Sequence, residues 1–551
     1  MSKNLSHLSG RKELTDNLFE YIGLLAEKDG SLSTEDAAKV AEEFLMGTAN
    51  VFGTASFYDF TRPENKGKKV YTCNGSACLV AGTQDQVKKN LSQYFNDSEI
   101  GEMCCLGRCH ENSAFHFDGV NYSGNQSNQY DSIFNGTQKN GVDHYQVKAL
   151  GQQVLTATPQ NLQDILPDLR VLLSKSPEEL LVELKTSGLR GRGGAGFPMA
   201  FKLDACSKSK GPRKFIVCNA DEGDPGSYSD RYLLESQPML VLIGMWIAGY
   251  MTGADRGVVY IRAEYPESID KINEAVLELR ESGILGEGIF GTHFNFEFKV
   301  IKAQGAYICG EETALLSSIE GQRPEVRVRP PFPVHEGLFR KPTVVNNVET
   351  LANLFYIMTQ GGKAYSEIGT AKSTGTKLIS LDSGFKHPGI YEVDMGTPLR
   401  QAIETLGGGF SRPTKALHIG GPLGGLVPIS KIDELTLDFE GFAQAGFMLG
   451  HASIVSIPES YPMIEYLEHL FAFTAHESCG KCFPCRLGST RGKELIQKAQ
   501  KDIQYKIDIQ LMNDLLDTMK RGSLCALGGG IPLPVYNALQ YFKDELAPYF
   551  K

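Results

Sequence analysis

The stretch SGLRGRGGAGFPMAFK, residues 187–202, places Gly191, Gly193 and Gly196 in a G-x-G-x-x-G arrangement. Glycines at this spacing let the backbone approach a phosphate group, whose charge then meets the amides at the start of a helix. A dinucleotide-binding loop usually follows a strand, whereas the preceding segment, SPEELLVELKTS, has the apolar spacing of a helix. A plain flexible loop is the alternative, but the basic side chains in the same stretch favour a cradle for a phosphate-bearing ligand.

Polar loops follow two strand-like segments further along the chain. KFIVCNADEGDPGSYSDR, residues 214–231, is an apolar strand that ends in a polar loop. Ligands of open α/β sheets bind at the carboxyl ends of strands, so we expect polar side chains of this loop to reach a ligand. They are Asn219, Asp221, Glu222 and Asp224. A turn rich in Asp and Gly is the alternative. In GAYICGEETALLSSIEG the paired Glu311 and Glu312 enter a helix, where acidic residues also complement the helix dipole.

Four cysteines near the end of the chain form a metal-binding pattern. Cys479, Cys482 and Cys485 lie three residues apart in ESCGKCFPCRLG, and Cys525 follows in SLCALG. A C-x2-C-x2-C loop holds three corners of a [4Fe-4S] cube, and a distant cysteine supplies the fourth ligand. Zinc also accepts four thiolates, but zinc sites usually pair two C-x2-C knuckles. The spacing therefore favours a [4Fe-4S] cluster.

A second group of cysteines lies near the start of the chain. Cys73 and Cys78 form C-x4-C, and Cys105 and Cys109 form C-x3-C, with Cys104 directly before them. Two pairs of thiolates suit a [2Fe-2S] cluster, each pair holding one iron, and zinc is the alternative. The cysteines outside both groups are expected to behave as small hydrophobic residues.

The length, charge and composition of the chain limit the classes of protein to which it can belong. The chain has 551 residues, a formal net charge of -10 and 65 acidic against 55 basic side chains, which disfavours a nucleic-acid partner. No secretory signal is visible at the N-terminus. The most apolar run, Met239 to Ala254, is shorter than a membrane span and is expected to form a buried helix. We therefore expect no direct membrane span in this protein. We expect a cytoplasmic protein, where clustered cysteines are more often metal ligands than disulfides.

Several motifs together resemble the flavin-bearing NADH-oxidising subunit of respiratory complex I and of soluble NAD-linked hydrogenases and formate dehydrogenases. The motifs are GLRGRGGAGFP, NADEGDPGSYSDRY, AYICGEETAL, RPPFP, KPTVVNNVETL, ESCGKCFPCRLG and SLCALG. The N-terminal part is similar to the thioredoxin-like [2Fe-2S] partner subunit of that family, through VFGTASFYDF, TCNGSACLVAG and CCLGRC. The interval between Cys78 and Cys105 is shorter than the family pattern.

The resemblance implies a multidomain α/β fold in one fused chain. The expected domains are a helical bundle (1–68), a thioredoxin-like [2Fe-2S] domain (69–150), a Rossmann-like domain that binds FMN and NADH (151–365), a small β-grasp domain (366–450) and a helical [4Fe-4S] domain (451–551).

The resemblance also implies roles for individual residues. Glu311 and Glu312 are expected at the reaction site. The expected FMN and NADH contacts are Gly191, Arg192, Gly193, Gly194, Gly196, Phe197, Lys202, Asn219, Asp221, Glu222, Asp224, Tyr307, Gly310, Arg329, Phe332, Asn346 and Asn347. Three positions depart from the family pattern: Asp224 replaces a common Glu, Arg329 a common Lys, and Ala205 an aromatic residue. Because an arginine at position 329 can accommodate a 2′-phosphate, both NADPH and NADH remain candidate substrates.

The implied activity is that of a diaphorase subunit, with hydride exchange between NADH and FMN and single-electron exchange between FMN and the iron–sulfur clusters. The expected partners are an iron–sulfur electron-transfer subunit and a catalytic subunit of hydrogenase or formate dehydrogenase type. A fused input subunit of complex I or of an electron-bifurcating complex is the alternative. A flavin-free zinc-binding scaffold is the alternative from another class.

Overall fold

The computed structural model describes residue 14 and residues 17–29, 31–124, 126, 129–138, 141, 143–159 and 161–551. Most of the first sixteen residues, part of the predicted helical bundle, lie outside the described residues. The helices that follow are α1 (Leu18–Asp29), α2 (Thr34–Glu43) and α3 (Thr48–Ala55). Their apolar faces form a core of their own around Ile22, Val40 and Phe44, which confirms a helical N-terminal segment.

The first cysteine group lies on a mixed four-stranded sheet of strand order β2-β1-β3-β4. Its elements are β1 (Val70–Cys73), α4 (Ser76–Ala81), α5 (Gln84–Leu91), β2 (Ile100–Met103), β3 (Phe115–Phe117), β4 (Val120–Tyr122) and α6 (Tyr130–Phe134). Strands β1 and β2 are parallel and are joined by the two helices, whereas β3 and β4 form an antiparallel hairpin. This small α/β unit fits the predicted thioredoxin-like domain.

The middle of the chain builds a parallel four-stranded sheet of order β8-β7-β6-β9. Its elements are α7 (Leu162–Ser174), α8 (Pro177–Ser187), α9 (Met199–Lys208), β6 (Phe215–Ala220), α10 (Ser229–Ser236), α11 (Pro238–Thr252), β7 (Arg256–Ile261), α12 (Pro266–Glu281), β8 (Glu297–Lys302), α13 (Glu312–Ile319), α14 (Pro333–Glu336), β9 (Thr343–Asn347), α15 (Val348–Gln360) and α16 (Gly362–Ser366). Because β6 and β9 are parallel neighbours, Asn219 and Asn347 are brought side by side at their carboxyl ends.

The apolar run predicted as a buried helix is α11, which packs against α15 and the sheet and has eleven of its fifteen residues buried. Within the described residues no single helix is long and apolar enough to cross a bilayer. The bent pair of α10 and α11, which meet at 93°, passes the same test of length and composition.

A six-stranded sheet of order β13-β12-β14-β10-β11-β5 follows in space. Its elements are β5 (Gln146–Leu150), β10 (Thr376–Leu381), β11 (Gly389–Asp394), α17 (Leu399–Gln401), a π-helical turn (Ala402–Leu406), β12 (Thr414–Ile419), β13 (Gly425–Pro428), α18 (Phe439–Gln444) and β14 (Ser453–Pro458). Strands β5 and β14 lie outside the predicted β-grasp range of 366–450, yet both pair with its strands. Local periodicity predicts a strand but carries no information about which sheet it joins.

The chain ends in a group of helices that carries the second cysteine group. They are α19 (Met463–Glu477), α20 (Phe483–Lys501), α21 (Ile509–Gly522), α22 (Ala526–Gly530), α23 (Pro532–Tyr541) and α24 (Lys543–Leu546). Short 3-10 turns complete the fold at Pro63–Asn65, Asp97–Glu99, Ile289–Gly291, Tyr307–Gly310, Leu338–Arg340 and Ile429–Glu434. One continuous apolar core runs from the thioredoxin-like unit through the parallel sheet to these helices, so the three parts pack as one body.

Candidate functional site

A cavity of about 680 Å³ lies at the carboxyl edge of the parallel sheet, beside the glycine-rich loop. This volume falls within the roughly 300–1,000 Å³ typical of ligand clefts. Its wall brings together predicted residues from five separate segments of the chain. They are Gly191, Gly193, Gly196, Phe197, Lys202, Asn219, Gly310, Glu311, Glu312, Arg329, Phe332, Asn346 and Asn347.

The two paired glutamates occupy different positions in this wall. Glu311 caps the start of α13, where its carboxylate accepts hydrogen bonds from the backbone N–H groups of Thr313 and Ala314 at 2.9 Å each. Glu312 accepts hydrogen bonds from Lys202 Nζ at 3.0 Å and from Arg329 Nη1 at 2.9 Å. The cavity wall therefore carries two cations and two carboxylates, and Glu312 is held in place between both cations.

Three phenylalanines lie exposed around the cavity. Phe197, Phe332 and Phe201 are 44%, 51% and 67% exposed, and the rings of Phe197 and Phe201 are 5.7 Å apart in an edge-to-face arrangement. Exposed aromatic residues grouped around a cavity are typical of a ligand-binding surface, and their rings offer flat faces to a planar ring. Sequence reasoning missed Phe201, although it lies one helical turn before Ala205, which also lines the cavity.

Two buried polar atoms beside the cavity fit a flavin. Asp221 Oδ2 and Asn346 Nδ2 are buried and have no hydrogen-bond partner among the described residues. Burial raises the pKa of Asp221 well above its usual range. A Cβ built on Gly310 would meet no atom closer than Asp221 O at 3.5 Å, so this glycine leaves open space next to the unpaired carboxylate. An isoalloxazine edge offers both N–H donors and carbonyl acceptors, which match this set.

Other predicted contact residues lie behind the cavity wall. The Arg192 guanidinium donates to Tyr365 Oη and to Thr374 O, while its backbone N–H donates to Thr350 Oγ1 in the cavity wall. The carboxylate of Glu222 accepts hydrogen bonds from Ser227 and Ser229 hydroxyls, from Tyr265 Oη and from the backbone at the start of α10. The structure thus does not bring the Glu222 side chain to the cavity, nor does Gly194 line it.

The side chains of Asp224 and Tyr307, both predicted as cofactor contacts, contact each other and do not line the cavity. Tyr307 Oη donates to Asp224 Oδ1 at 2.8 Å, and His451 Nδ1 lies 2.9 Å from Asp224 Oδ2. Burial raises the pKa of Tyr307 well above its usual range, and the Asp224 carboxylate adds to this shift. Tyr307 N–H donates to Glu477 Oε2 at 2.8 Å, which links this pair to the end of α19.

The C-terminal cysteines converge at helix starts next to the cavity. Cys482 precedes α20, Cys485 lies in its first turn, and Cys525 precedes α22 and lines the cavity. Cys479 and Cys482 lie close enough to Cys485 for their charges to raise its pKa, and Cys479 and Cys485 act on the pKa of Cys525 in the same way. A Cβ on Gly528 would lie 2.6 Å from Cys485 Cβ, so only glycine lets α22 approach α20 this closely. Burial raises the pKa of Cys485 to about 11 and of Cys525 to about 12, so binding of a metal would release protons.

The N-terminal cysteines form a second, fully buried group. Cys105 Sγ and Cys109 Sγ are 3.3 Å apart, and Cys73 contacts both Cys105 and Cys78. Hydrogen bonds from Cys109 and Cys73 lower the pKa of Cys105 well below its usual range, and Arg262 contributes in the same direction. Cys104 is only half-buried and has no sulfur contact of this kind among the described residues, although it lines a cavity of about 800 Å³ beside α19 together with Cys73 and Cys78. The structure thus groups Cys105, and not Cys104, with the other three.

Both cysteine groups fit iron–sulfur clusters by their donor sets. Each offers four thiols and no histidine or carboxylate within the group. The remaining cysteines, Cys206, Cys218 and Cys309, are buried apart from both groups, as expected for small hydrophobic residues.

Comparisons with known proteins agree with this arrangement. Residues 184–356 match the Nuo51 FMN-binding domain, residues 465–549 the NADH-ubiquinone oxidoreductase-F iron-sulfur binding region, and residues 6–138 the thioredoxin-like [2Fe-2S] ferredoxin. The chain is 42% identical to the NADP-reducing hydrogenase subunit HndC of Solidesulfovibrio fructosivorans over 68% of this chain and 76% of that protein. It is 34% identical to the NAD-reducing hydrogenase HoxS subunit alpha of Cupriavidus necator over 89% of this chain and 85% of that protein.

A solved structure extends the match to almost the whole chain. The crystal structure of NAD+-reducing [NiFe]-hydrogenase in the H2-reduced state superposes with a TM-score of 0.86 and 26% identity, covering 97% of this chain and 94% of that one. FMN, a [4Fe-4S] cluster and a [2Fe-2S] cluster are therefore the cofactors of this fold, and its chemistry is diaphorase-type electron transfer from NADH. The chain belongs to the family of FMN-binding iron–sulfur NADH oxidoreductase subunits, with the thioredoxin-like [2Fe-2S] domain fused to the same polypeptide.

Proposed function

We propose that this chain is the NAD(H)-linked diaphorase subunit of a hydrogenase-type assembly, in which it connects NAD(H) to an iron–sulfur electron-transfer subunit and a distal catalytic subunit. One observation carries the proposal: Cys525, a predicted cluster ligand, lines the same cavity as the glycine loop and Glu312. Dinucleotide, flavin and cluster would then meet without an intervening structural element. When bound, FMN supplies the exchange between hydride and single electrons, and the clusters supply one-electron steps.

The residues of this chain bind and orient the reactants. Loop amides at Gly191, Gly193 and Gly196 would approach the flavin phosphate, and the unpaired Asp221 and Asn346 would hold the ring edge. These assignments rest on placement at the cavity and on the unpaired atoms.

The dinucleotide would enter from the aromatic side of the cavity. The exposed faces of Phe197, Phe201 and Phe332 suit the planar rings of NADH. Glu312, fixed between Lys202 and Arg329, would accept hydrogen bonds from ribose hydroxyls or from the nicotinamide amide. No side chain is required as a nucleophile or as a general base in this proposal.

The fused N-terminal domain favours a hydrogenase-type parent complex. One relative that matches 89% of the chain and one solved structure that matches 97% of it are both named as NAD-reducing hydrogenases. A formate dehydrogenase of the same fused organisation, complex I and an electron-bifurcating complex are the other candidate assemblies. We also place the assembly in the cytoplasm, since the twelve free cysteines suit a reducing compartment.

The test is to isolate the complex that contains this chain from its native cells, with a tag on this chain. We expect a flavin and iron–sulfur absorption spectrum, iron in place of zinc, and H2-dependent reduction of NAD+. Formate-dependent NAD+ reduction without H2 activity would replace the hydrogenase assignment with formate dehydrogenase. Quinone-dependent NADH oxidation alone would indicate complex I, and a colourless zinc protein would reject the diaphorase proposal.

A further inference from the structure

The loop that carries Cys105 and Cys109 rests on side chains of the flavin-binding part. Arg262 Nη2 donates a hydrogen bond to Cys104 O at 3.1 Å, and Arg231 Nη1 donates to Gly107 O at 2.8 Å. The ring of Tyr265 lies so close to Gly107 that a Cβ there would be 2.6 Å from Tyr265 Cε1. One wall of the N-terminal cysteine site is therefore built by a different part of the chain.

Arg262 is the cation of this wall with the fewest counter-charges among the described residues. It follows β7 directly, is 2% exposed, and forms one ion pair, in which Nη2 lies 2.8 Å from Glu264 Oε1. Its Nη1 donates to Glu222 O. By contrast, Arg231 in this wall and Arg108 in the cysteine loop each pair with two carboxylates, sharing Asp143 between them.

The Arg262 guanidinium is hydrogen-bonded to the carbonyl of Cys104, the residue directly before the predicted ligand Cys105, so its positive charge lies close to the cluster site. Arg262 and Cys105 are both buried, so water screens this charge weakly. Reduction of a [2Fe-2S] cluster adds one electron and transfers no atom. A fixed positive charge nearby stabilises that added negative charge, and charge close to a cluster is one of the factors that set its potential.

We propose that Arg262 raises the reduction potential of the [2Fe-2S] cluster predicted at Cys73, Cys78, Cys105 and Cys109, and that Glu264 opposes it. The inference rests on the cluster assignment in the proposed function. Its consequence is that the redox level of the N-terminal cluster depends on how the thioredoxin-like domain docks on the flavin-binding part. Arg262 acts here as a positioning and charge-setting residue and is not a cluster ligand.

The test is redox potentiometry of the full-length, cofactor-loaded protein, followed by the electron paramagnetic resonance signal of the reduced [2Fe-2S] cluster. In R262Q we expect the ratio of reduced to oxidised cluster at a given potential to fall about tenfold, which is 59 mV for a one-electron couple. R262K retains the charge and should stay near the wild-type value. E264Q should shift the potential upward, and the R262Q/E264Q double variant should return towards wild type.

R256Q is the matched control, because Arg256 lies partly exposed at the opposite end of the same strand. Its potential should equal that of the wild type. An R262Q shift no larger than that of R256Q would overturn the inference, as would an E264Q shift in the same direction as R262Q. If R262Q loses its cluster, as shown by iron analysis, E264Q and R262K decide the question by the same criteria. Absence of any [2Fe-2S] signal in the wild type would instead reject the cluster assignment.

Discussion

Cys525 and Glu311 lie in the wall of one cavity. Burial raises the pKa of the Cys525 thiol to about 12, and the negative charge of the nearby Glu311 contributes in the same direction. A predicted cluster ligand thus shares an enclosed space with a carboxylate predicted at the reaction site. This proximity gives the proposed electron route between the cavity and the C-terminal cysteines a direct structural basis.

Replacing Cys482 with alanine should remove or degrade the C-terminal cluster, because three thiolates hold a [4Fe-4S] cluster poorly. NADH should still bleach the flavin absorption in stopped-flow measurements, whereas reduction of the partner subunit should fail. C206A, at a buried cysteine outside both groups, is the control and should retain partner reduction. Native-rate partner reduction in C482A would show that electrons leave by another route.

Replacing Glu312 with glutamine should weaken NADH binding. Its carboxylate is fixed between Lys202 and Arg329, and glutamine retains the size but loses the charge. We expect KM for NADH to rise by a factor corresponding to one charged hydrogen bond, about 1.5–3 kcal/mol at most, with a smaller change in the hydride step. Steady-state kinetics beside a thermal melt measures both effects.

The control for E312Q is E297Q. Glu297 lies on the edge strand β8, where it forms an ion pair with Arg280 of α12 that the substitution breaks. Its kinetics should equal those of the wild type. Unchanged NADH kinetics in E312Q together with a lower melting temperature would mean that Glu312 serves only the stability of α13.

Replacing Phe201 with alanine should raise KM for NADH with little effect on stability. The ring is 67% exposed, so its removal leaves no core cavity, and surface substitutions typically change stability by roughly 0.5 kcal/mol or less. Stacking of a base on an aromatic ring contributes about 1–3 kcal/mol. Steady-state kinetics with varied NADH beside a thermal melt provides the measurement, with V182A at another exposed apolar position as the control. An equal KM for NADH in F201A and V182A would exclude Phe201 from the binding site.

The free energy of unfolding should depend on pH through the buried carboxyl group of Asp382. It is fully buried, accepts hydrogen bonds from Ser456 and Gly384, and has its pKa raised by burial to about 6. The ordinary value for aspartate is about 3.9, so between about pH 4 and pH 6 the folded state binds more protons than the unfolded state. The free energy of unfolding therefore falls as pH rises through this window, by about 3 kcal/mol at most.

D382N removes this titration and retains one hydrogen-bond acceptor. Its melting temperature relative to the wild type should therefore increase between pH 4 and pH 8. Thermal melts of both proteins across this range provide the measurement, and effects of pH common to both cancel in the difference. A constant difference at every pH would mean that Asp382 does not titrate in this window.

Several features of the fold and the site were open to prediction because neighbouring residues encode them. The helix before the glycine loop ends at Ser187 as its apolar spacing indicates, and the apolar run from Met239 is a buried helix. The spacing of Cys479, Cys482 and Cys485 predicts a cluster loop, and the structure places these residues between α19 and the first turn of α20. Propensity, periodicity and ligand spacing are local properties, so they can be read from the sequence without knowledge of the fold.

Other features were decided only by contacts between distant parts of the chain. Glu222 and Asp221 are neighbours in one polar loop, yet the carboxylate of Glu222 caps α10 while Asp221 leaves an unpaired oxygen beside the cavity. Likewise, Cys105 is buried with its sulfur against those of Cys109 and Cys73, whereas the neighbouring Cys104 is only half-buried. The direction in which a loop side chain points depends on the hydrogen bonds and space that the surrounding elements offer.

The sequence by itself therefore determined the kinds of chemistry in this protein: thiolate clusters, a glycine-rich phosphate cradle and the helices and strands that carry them. The tertiary structure alone decided which of these groups share one cavity, that Phe201 faces it, and that Arg262 from the flavin-binding part supports the N-terminal cysteine loop. The physical reason is that residue types and spacings are written along the chain, whereas proximity arises from packing between segments far apart in sequence.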